Sequence, residues 1–181
     1  MTGLRIPEEY GGVGADCITT GIAAEEIGRG DFNLTYAVML NGLIGEILSQ
    51  HASEKLKKHW LPQIASGEKI VGIAITEPSA GTDAGGIQST AVRMGEEYIL
   101  NGEKSGISVA TCGDAFIVFA KTNPALGNRG ISAFLVPADA PGFEAKGYED
   151  MGNIPIGRGS IYMHDLRIPA SNLIGNENQG F

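Results

Sequence analysis

The hydrophobic periodicity of the chain changes once, near Gly67, and this change limits the possible folds more than any other feature. Before Gly67, apolar residues recur at the three- and four-residue spacing of amphipathic helices. Three helices are predicted, over residues 16–30, 31–50 and 53–67. Asp16 and Ser53 are suitable N-caps and Gly67 is a suitable stop, while Pro62 is expected to restart the third helix.

After Gly67 the apolar segments are short, rich in β-branched and aromatic residues, and separated by turn residues, as β-strands are. Strands are predicted at residues 69–76, 87–94, 98–100, 103–109, 114–121, 130–137 and 160–168. Asn101-Gly102 is a strong hairpin signal, and the acidic stretch 144–150 is interpreted as a solvated loop. The pattern favours an α+β fold, with a helical segment over residues 1–68 and an antiparallel β-barrel or sandwich over residues 69–181.

Composition argues against several classes of protein. The chain has 181 residues, 43% of them hydrophobic, and no run approaches the roughly 18 uninterrupted apolar residues that a membrane-spanning helix needs. The formal net charge of −8 argues against nucleic-acid binding, which requires a basic surface. Cys17 and Cys112 lack metal-ligand spacing and are interpreted as reduced, packed thiols, so no metal site is predicted. The N-terminus shows no leader signal, so the default prediction is a cytoplasmic protein.

The segment from Ile73 to Asp83 predicts a ligand-binding loop. A strand-like apolar run ends at Ile75, and proline, small residues, glycine and two threonines follow it. Small residues let a ligand approach the main chain, while Thr76 and Thr82 offer hydrogen-bonding hydroxyls at fixed points. These features suit a flat ligand with polar edges. Taken without their context, the two threonines could equally serve only to satisfy the backbone of a turn.

Six motifs, in order along nearly the whole chain, resemble those of the acyl-CoA dehydrogenase family. They lie at residues 6–14, 60–68, 73–83, 100–108, 129–136 and 167–181. The resemblance implies the end of an N-terminal helical domain followed by a middle β-domain. Family members continue into a C-terminal helical bundle, so the sequence is expected to be an internal fragment without that bundle.

The resemblance also implies an activity, which is FAD-dependent α,β-dehydrogenation of an acyl-CoA thioester to a 2-enoyl-CoA. It further implies electron-transfer flavoprotein as the acceptor, a homo-oligomer (dimer or tetramer) and, in a eukaryote, the mitochondrial matrix. The catalytic base of the family belongs to the C-terminal bundle, so no catalytic residue is assigned here. The chain alone is therefore expected to be inactive.

The family's binding residues can be carried over by position. The resemblance implies contacts with FAD from Ile73, Ala74, Ile75, Thr76, Gly81, Thr82, Gly106, Ile107 and Ser108. Main-chain groups near Ile75 and the Thr76 hydroxyl would lie at the pyrimidine edge of the flavin, and the Ser108 hydroxyl near N5. Thr82, facing the pyrophosphate and pantetheine, would also contact the CoA substrate, together with Asn128 and Arg129.

Gly106 departs from the family pattern, because relatives usually carry a large aromatic residue there, over part of the flavin. Losing an aromatic side chain removes on the order of 150–250 Å² of surface that could be buried. Either another side chain fills this space, or the site is wider and accepts a bulky or cyclic acyl group.

Two other functions share the same motifs. One is a flavin oxidase or monooxygenase of the same fold. The other is a non-catalytic binding module, either truncated or one part of a split enzyme.

Overall fold

The computed structural model describes residues 2–181, which divide into two compact units at Val71 and Gly72. The first unit is helical and contains α1 (Cys17–Gly30), α2 (Phe32–His51) and α3 (Glu54–Ser66). Asp16 and Ser53 cap α1 and α3 by accepting hydrogen bonds from the amides of Thr19 and Leu56. All three predicted helices are confirmed.

The predicted interruption at Pro62 is wrong, because α3 is one continuous helix from Glu54 to Ser66. Proline removes a single amide donor, and the buried Leu61 and Ile64 on either side pack the helix regardless. The helix ends, as predicted, at Gly67, whose φ of 80° is left-handed.

The core of the first unit is formed mainly by α2 and α3. Ile44, Leu48, Leu61 and Ile64 have no exposed surface. In contrast, α1 packs within the unit through Thr20 and Ala24, while its more apolar residues are exposed. Several large apolar side chains on α1 and α2 are exposed: Ile18, Ile22, Phe32, Leu34, Met39 and Leu43.

The second unit is an eight-stranded sheet. Its strands are β1 (Val71–Ala74), β2 (Thr90–Met94), β3 (Glu97–Ile107), β4 (Ala115–Lys121), β5 (Ile131–Pro137), β6 (Phe143–Gly147), β7 (Gly159–Pro169) and β8 (Leu173–Ile174). The spatial order is β6-β7-β3-β2-β4-β5-β8, with β1 paired to β4. β2 and β4 pair in parallel, and the other neighbours in this order are antiparallel. A helical segment followed by a largely antiparallel sheet confirms the α+β prediction.

The predicted hairpin at Asn101-Gly102 is wrong, because β3 runs straight through these residues. Gly102 lies at a register shift between β3 and β7, and a Cβ atom there would lie 2.3 Å from the Ser89 hydroxyl oxygen. Glycine is required at this position for close approach of another segment, and not for a turn. The connection between β2 and β3 contains Gly95, whose φ is 64°.

Two further predictions need correction. The stretch 144–150 is not entirely a loop, because its first residues belong to β6, which pairs with β7. Cys17 and Cys112 are exposed free thiols and are not packed. Among residues 2–181, no helix is long and apolar enough to cross a membrane.

Candidate functional site

The loop that follows β1 presents an exposed strip of small and hydroxyl-bearing residues. Glu77 and Ala80 exchange two main-chain hydrogen bonds, of 2.9 and 3.1 Å, and so close a tight turn around Pro78 and Ser79. Thr76, Gly81 and Thr82 are exposed, and a Cβ atom added at Gly81 would meet no other atom within 4 Å. Open space beside an exposed main chain is the geometry that the sequence predicted for a ligand-binding loop.

A buried ion pair holds this loop against β3. The Lys104 ammonium lies 2.8 Å from the Glu77 carboxylate and donates a second hydrogen bond, of 3.0 Å, to the Ile75 carbonyl. The side chains of Lys104 and Glu77 are 0% and 4% exposed. The amides of Gln88 and Ser89 also donate to the Glu77 carboxylate, at 2.5 and 3.0 Å. Glu77 therefore joins three segments of the second unit.

The environment of this pair favours the charged form of Glu77, whereas the pKa of Lys104 is lowered. Burial raises the pKa of Glu77, but the hydrogen bonds from Lys104, Ser89 and Gln88 outweigh burial and bring that pKa below its ordinary value. Burial lowers the pKa of Lys104, and the hydrogen bond and charge of Glu77 oppose that shift. The sequence analysis missed both residues. A charged residue within each of two predicted binding motifs was the signal that could have revealed them.

The end of β3 lies beside the loop. The Ser105 amide donates to the Thr76 carbonyl at 2.9 Å, which brings the two segments predicted to contact flavin together. Between Lys104 and Ile107 the register with β7 shifts, and Gly106, with φ of 67°, lies within this irregularity. A left-handed φ strains any residue with a side chain, which gives glycine a backbone reason at this position.

The predicted flavin residues differ in burial and form three groups: buried, half-buried and exposed. Ala74 and Ile107 are 0% and 2% exposed, so these residues offer almost no surface to a ligand. The carbonyls of Ile75 and Thr76 already accept hydrogen bonds within the protein, whereas the Thr76 side chain is exposed. Ile73, Ile75 and Ser108 are half-buried, and Gly81, Thr82 and Gly106 are exposed, as Thr76 is.

Asn128 lies close to the segment that follows Thr82. A Cβ atom added at Gly85 would lie 2.9 Å from the Asn128 Cβ, so the two residues pack directly against each other. Asn128 and Arg129 are exposed, on a short helical segment between Pro124 and Gly130. The structure thus brings Asn128 and the Thr82 segment to one side of the second unit, although 46 positions separate the two residues in the sequence.

A polar cluster beside Gly106 was not predicted. The Gly106 amide donates to the Tyr148 hydroxyl at 3.0 Å, and this hydroxyl lies 2.9 Å from that of Ser160. The Arg158 guanidinium lies over the Tyr148 ring, 5.8 Å from its centroid, and is paired with Asp150 at 3.3 Å. These residues come from the ends of β6 and β7 and have no characteristic spacing, so only the folded chain reveals the cluster.

The residues of this site suit a flavin. A flat ring system needs an open main-chain strip without protruding side chains, and polar groups at its edges. Gly81 and Gly106 supply the first, and the hydroxyls of Thr76, Thr82 and Ser108 supply the second. Within the described range 2–181, no group of three or more His, Cys, Asp or Glu residues could hold a metal ion.

Comparisons with known proteins identify the family of the chain. Residues 1–68 match the model of the acyl-CoA dehydrogenase N-terminal domain, and residues 72–166 match that of the acyl-CoA dehydrogenase middle domain. A probable acyl-CoA dehydrogenase, YngJ of Bacillus subtilis, is 39% identical over all of this chain and 48% of its own length. CarC of Acetobacterium woodii, a subunit of a caffeyl-CoA reductase–Etf complex, is 38% identical over 99% of this chain and 48% of its own.

A solved structure shows the same fold. Butyryl-CoA dehydrogenase of Megasphaera elsdenii aligns with a TM-score of 0.94 and 33% identity, over 99% of this chain and 49% of its own. The chain thus spans about half the length of the relatives that it matches. Because matches to the two domain models cover both structural units in the expected order, the chain belongs to the acyl-CoA dehydrogenase family.

Proposed function

We propose that the full-length protein containing this sequence is an FAD-dependent acyl-CoA dehydrogenase that converts an acyl-CoA thioester to a 2-enoyl-CoA. One observation carries the proposal. The buried Glu77–Lys104 pair and the Ser105–Thr76 hydrogen bond hold two segments, each matched to a flavin-contacting motif, side by side with an exposed strip between and beside them. The flavin, when bound, supplies the hydride acceptor for the β-carbon of the substrate.

The residues of this chain would bind and orient the cofactor and the thioester. The Thr76 hydroxyl would bind the polar edge of the ring, and the Ser108 hydroxyl would bind near its reactive nitrogen. Gly81 and Thr82 are free to approach the pyrophosphate and pantetheine, and Asn128 and Arg129 to contact CoA. The α-proton requires a base, which we assign to no residue of this sequence.

The acyl group is proposed to be wider than a straight alkyl chain. Gly106 has no side chain, and a Cβ atom there would meet one heavy atom within 4 Å, at the end of the flexible Arg158 side chain. This open space at Gly106 is the observation that supports a wider acyl group.

The electron acceptor and the assembly are part of the proposal. CarC is named as a subunit of a complex with Etf, and this supports an electron-transfer flavoprotein as the acceptor. A homo-oligomer, dimeric or tetrameric, and a cytoplasmic location (the matrix in a mitochondrion) remain predictions. Gel filtration of the purified full-length protein tests the first of these.

The experiment is an anaerobic reduction of the purified full-length protein. We expect it to retain FAD with a yellow visible spectrum, and acyl-CoA to bleach that spectrum. A panel of straight-chain, cyclic and aryl-substituted acyl-CoA esters then ranks the substrates. A colourless protein that stays colourless after incubation with FAD refutes the proposal, and rapid oxygen consumption with acyl-CoA indicates an oxidase instead.

A further inference from the structure

Tyr148 is hydrogen-bonded both to the start of β7 and to Gly106, in the segment proposed to contact flavin. Its amide donates to the Arg158 carbonyl at 2.8 Å, which fixes its main chain to the start of β7. Its hydroxyl oxygen accepts from the Gly106 amide at 3.0 Å and lies 2.9 Å from the buried Ser160 hydroxyl. Since the Gly106 amide can only donate, the hydroxyl uses a lone pair there and can donate its own proton to Ser160. The ring is thereby held beside Gly106.

Arg158 is held in turn by two partners. The face of the Tyr148 ring lies 5.8 Å from the guanidinium carbon, and both Asp150 carboxylate oxygens lie 3.3–3.4 Å from Nη1. Both side chains of the ion pair are partly shielded from solvent, Arg158 at 32% exposed and Asp150 at 21%. A guanidinium held from two sides keeps its position better than a free surface arginine.

The other end of the guanidinium is directed at Gly106. A Cβ atom added at Gly106 would have a single heavy atom within 4 Å, and that atom is Nη2 of Arg158, at 3.7 Å. The carboxylate of Asp150 pairs with Nη1 instead. The charge next to the Gly106 main chain is therefore positive.

We propose that Arg158, positioned by Tyr148 and Asp150, raises the reduction potential of the bound flavin. The inference rests on the proposed function, because it assumes a flavin at the Gly106 segment. Uptake of a hydride adds two electrons and one proton, so the ring system gains one negative charge. A fixed positive charge nearby stabilises that charge more than it stabilises the oxidised state. Arg158 acts through its charge and is a positioning and tuning residue of the site.

The test measures the reduction potential of FAD in the full-length protein by anaerobic titration against a reference dye. Arg158→Gln removes the charge, and we expect it to lower the ratio of reduced to oxidised flavin at fixed potential by about tenfold, which is about 30 mV for a two-electron couple. Arg158→Lys keeps the charge, so its ratio of reduced to oxidised flavin should lie close to that of the wild type. Asp150→Asn removes the compensating carboxylate and should shift the ratio in the opposite direction.

Arg167→Gln is the matched control. Arg158 immediately precedes β7, whereas Arg167 lies near the other end of this strand and pairs with Glu97 at the same distance of 3.3 Å. We expect no change in potential for this variant. Tyr148→Phe, which keeps the ring and loses the hydroxyl, should lower the reduction potential of FAD less than Arg158→Gln does.

Three results would overturn the inference: an unchanged potential in Arg158→Gln, an equal shift in the control, or a loss in Arg158→Lys as large as in Arg158→Gln. If Arg158→Gln fails to fold or to retain FAD, the reduction potential of Asp150→Asn decides: an increase supports the inference, and a decrease or no change overturns it. A wild-type protein that binds no FAD refutes the proposed function itself, and that outcome is seen before any variant is compared.

Discussion

Lys104→Met should strongly destabilise the second unit, because it leaves the Glu77 carboxylate buried without its cation. Glu77 is 4% exposed, and removing one partner of a buried ion pair costs about 3–5 kcal/mol. The carboxylate would still accept hydrogen bonds from the amides of Gln88 and Ser89. We therefore expect the free energy of unfolding to fall by about 3 kcal/mol, at the lower end of this range. The Ile75 carbonyl loses a donor as well.

A second substitution should recover part of this loss. Glu77→Gln in the Lys104→Met background removes the buried charge and keeps an acceptor for one of the two amides, which donate to different carboxylate oxygens in the wild type. We expect the double variant to be more stable than Lys104→Met alone. The assay is urea unfolding of the full-length protein, combined with hydrogen exchange of peptides from residues 75–89 and 104–108, where protection should fall most.

The destabilisation caused by Lys104→Met should also depend on pH. In the wild type the pKa of Glu77 is lowered, so its contribution to stability is present above the unfolded-state pKa of about 4.3 and is lost as pH falls through the folded-state value. In Lys104→Met, burial without the cation should raise that pKa, so stability should increase as pH falls towards it. The difference in free energy of unfolding between the wild type and Lys104→Met should therefore become smaller at acidic pH.

Lys57→Met is the control for burial. Lys57 and Glu54 form an ion pair of 3.0 Å, close to the 2.8 Å of the Lys104–Glu77 pair, but the Glu54 side chain is 66% exposed. Exposed ion pairs contribute little because water and salt screen them. If Lys57→Met destabilises the protein as much as Lys104→Met does, or if the double variant is less stable than Lys104→Met, the argument from buried charge is wrong.

Three further predictions concern the site and the β-unit. Thr82→Val should weaken FAD and acyl-CoA binding by about 0.5–3 kcal/mol, as measured by equilibrium titration, while the exposed helical control Thr19→Val should change neither affinity. Gly106→Trp should lower kcat/KM for cyclohexanecarboxyl-CoA more than for butyryl-CoA. Gly106→Ala is the control that measures only the strain of a side chain on the left-handed backbone. Equal losses of kcat/KM for both substrates in Gly106→Trp would contradict a wide site. Tyr98, which is buried and bonded to Glu177 at 2.5 Å, has its pKa raised to about 12 by burial and this carboxylate. Tyr98 should therefore ionise at a pH of about 12, and stability should fall as pH rises from about 10 towards 12. Loss of this step from the ultraviolet titration of Tyr98→Phe checks the assignment.

The helices and most strands could be predicted from local sequence, because their signals lie within a few residues of each other. Asp16, Ser53 and Gly67 act as caps or stops through bonds within one turn, so their meaning does not depend on the rest of the chain. The Asn101-Gly102 hairpin failed for the opposite reason. Its glycine is required by Ser89, which approaches from another segment.

The candidate site shows the same division. The loop with Thr76 and Thr82 follows from sequence, because proline, glycine and small residues after a strand-like run indicate a loop from local signals alone. That Gly106 and Thr76 lie side by side depends on a hydrogen bond from Ser105 and on a buried Lys104 whose partner is 27 residues away.

The sequence by itself determined the order of helices and strands, the family to which the motifs belong, and the residue types available to a flavin and a thioester. Only the tertiary structure decided which charges are buried together and which groups surround Gly106. Tyr148, Asp150 and Arg158 have no local pattern, and their roles arise because the pairing of β3, β6 and β7 brings distant residues within hydrogen-bonding distance. Electrostatic effects depend on these distances and on burial, and neither can be obtained from the order of residues alone.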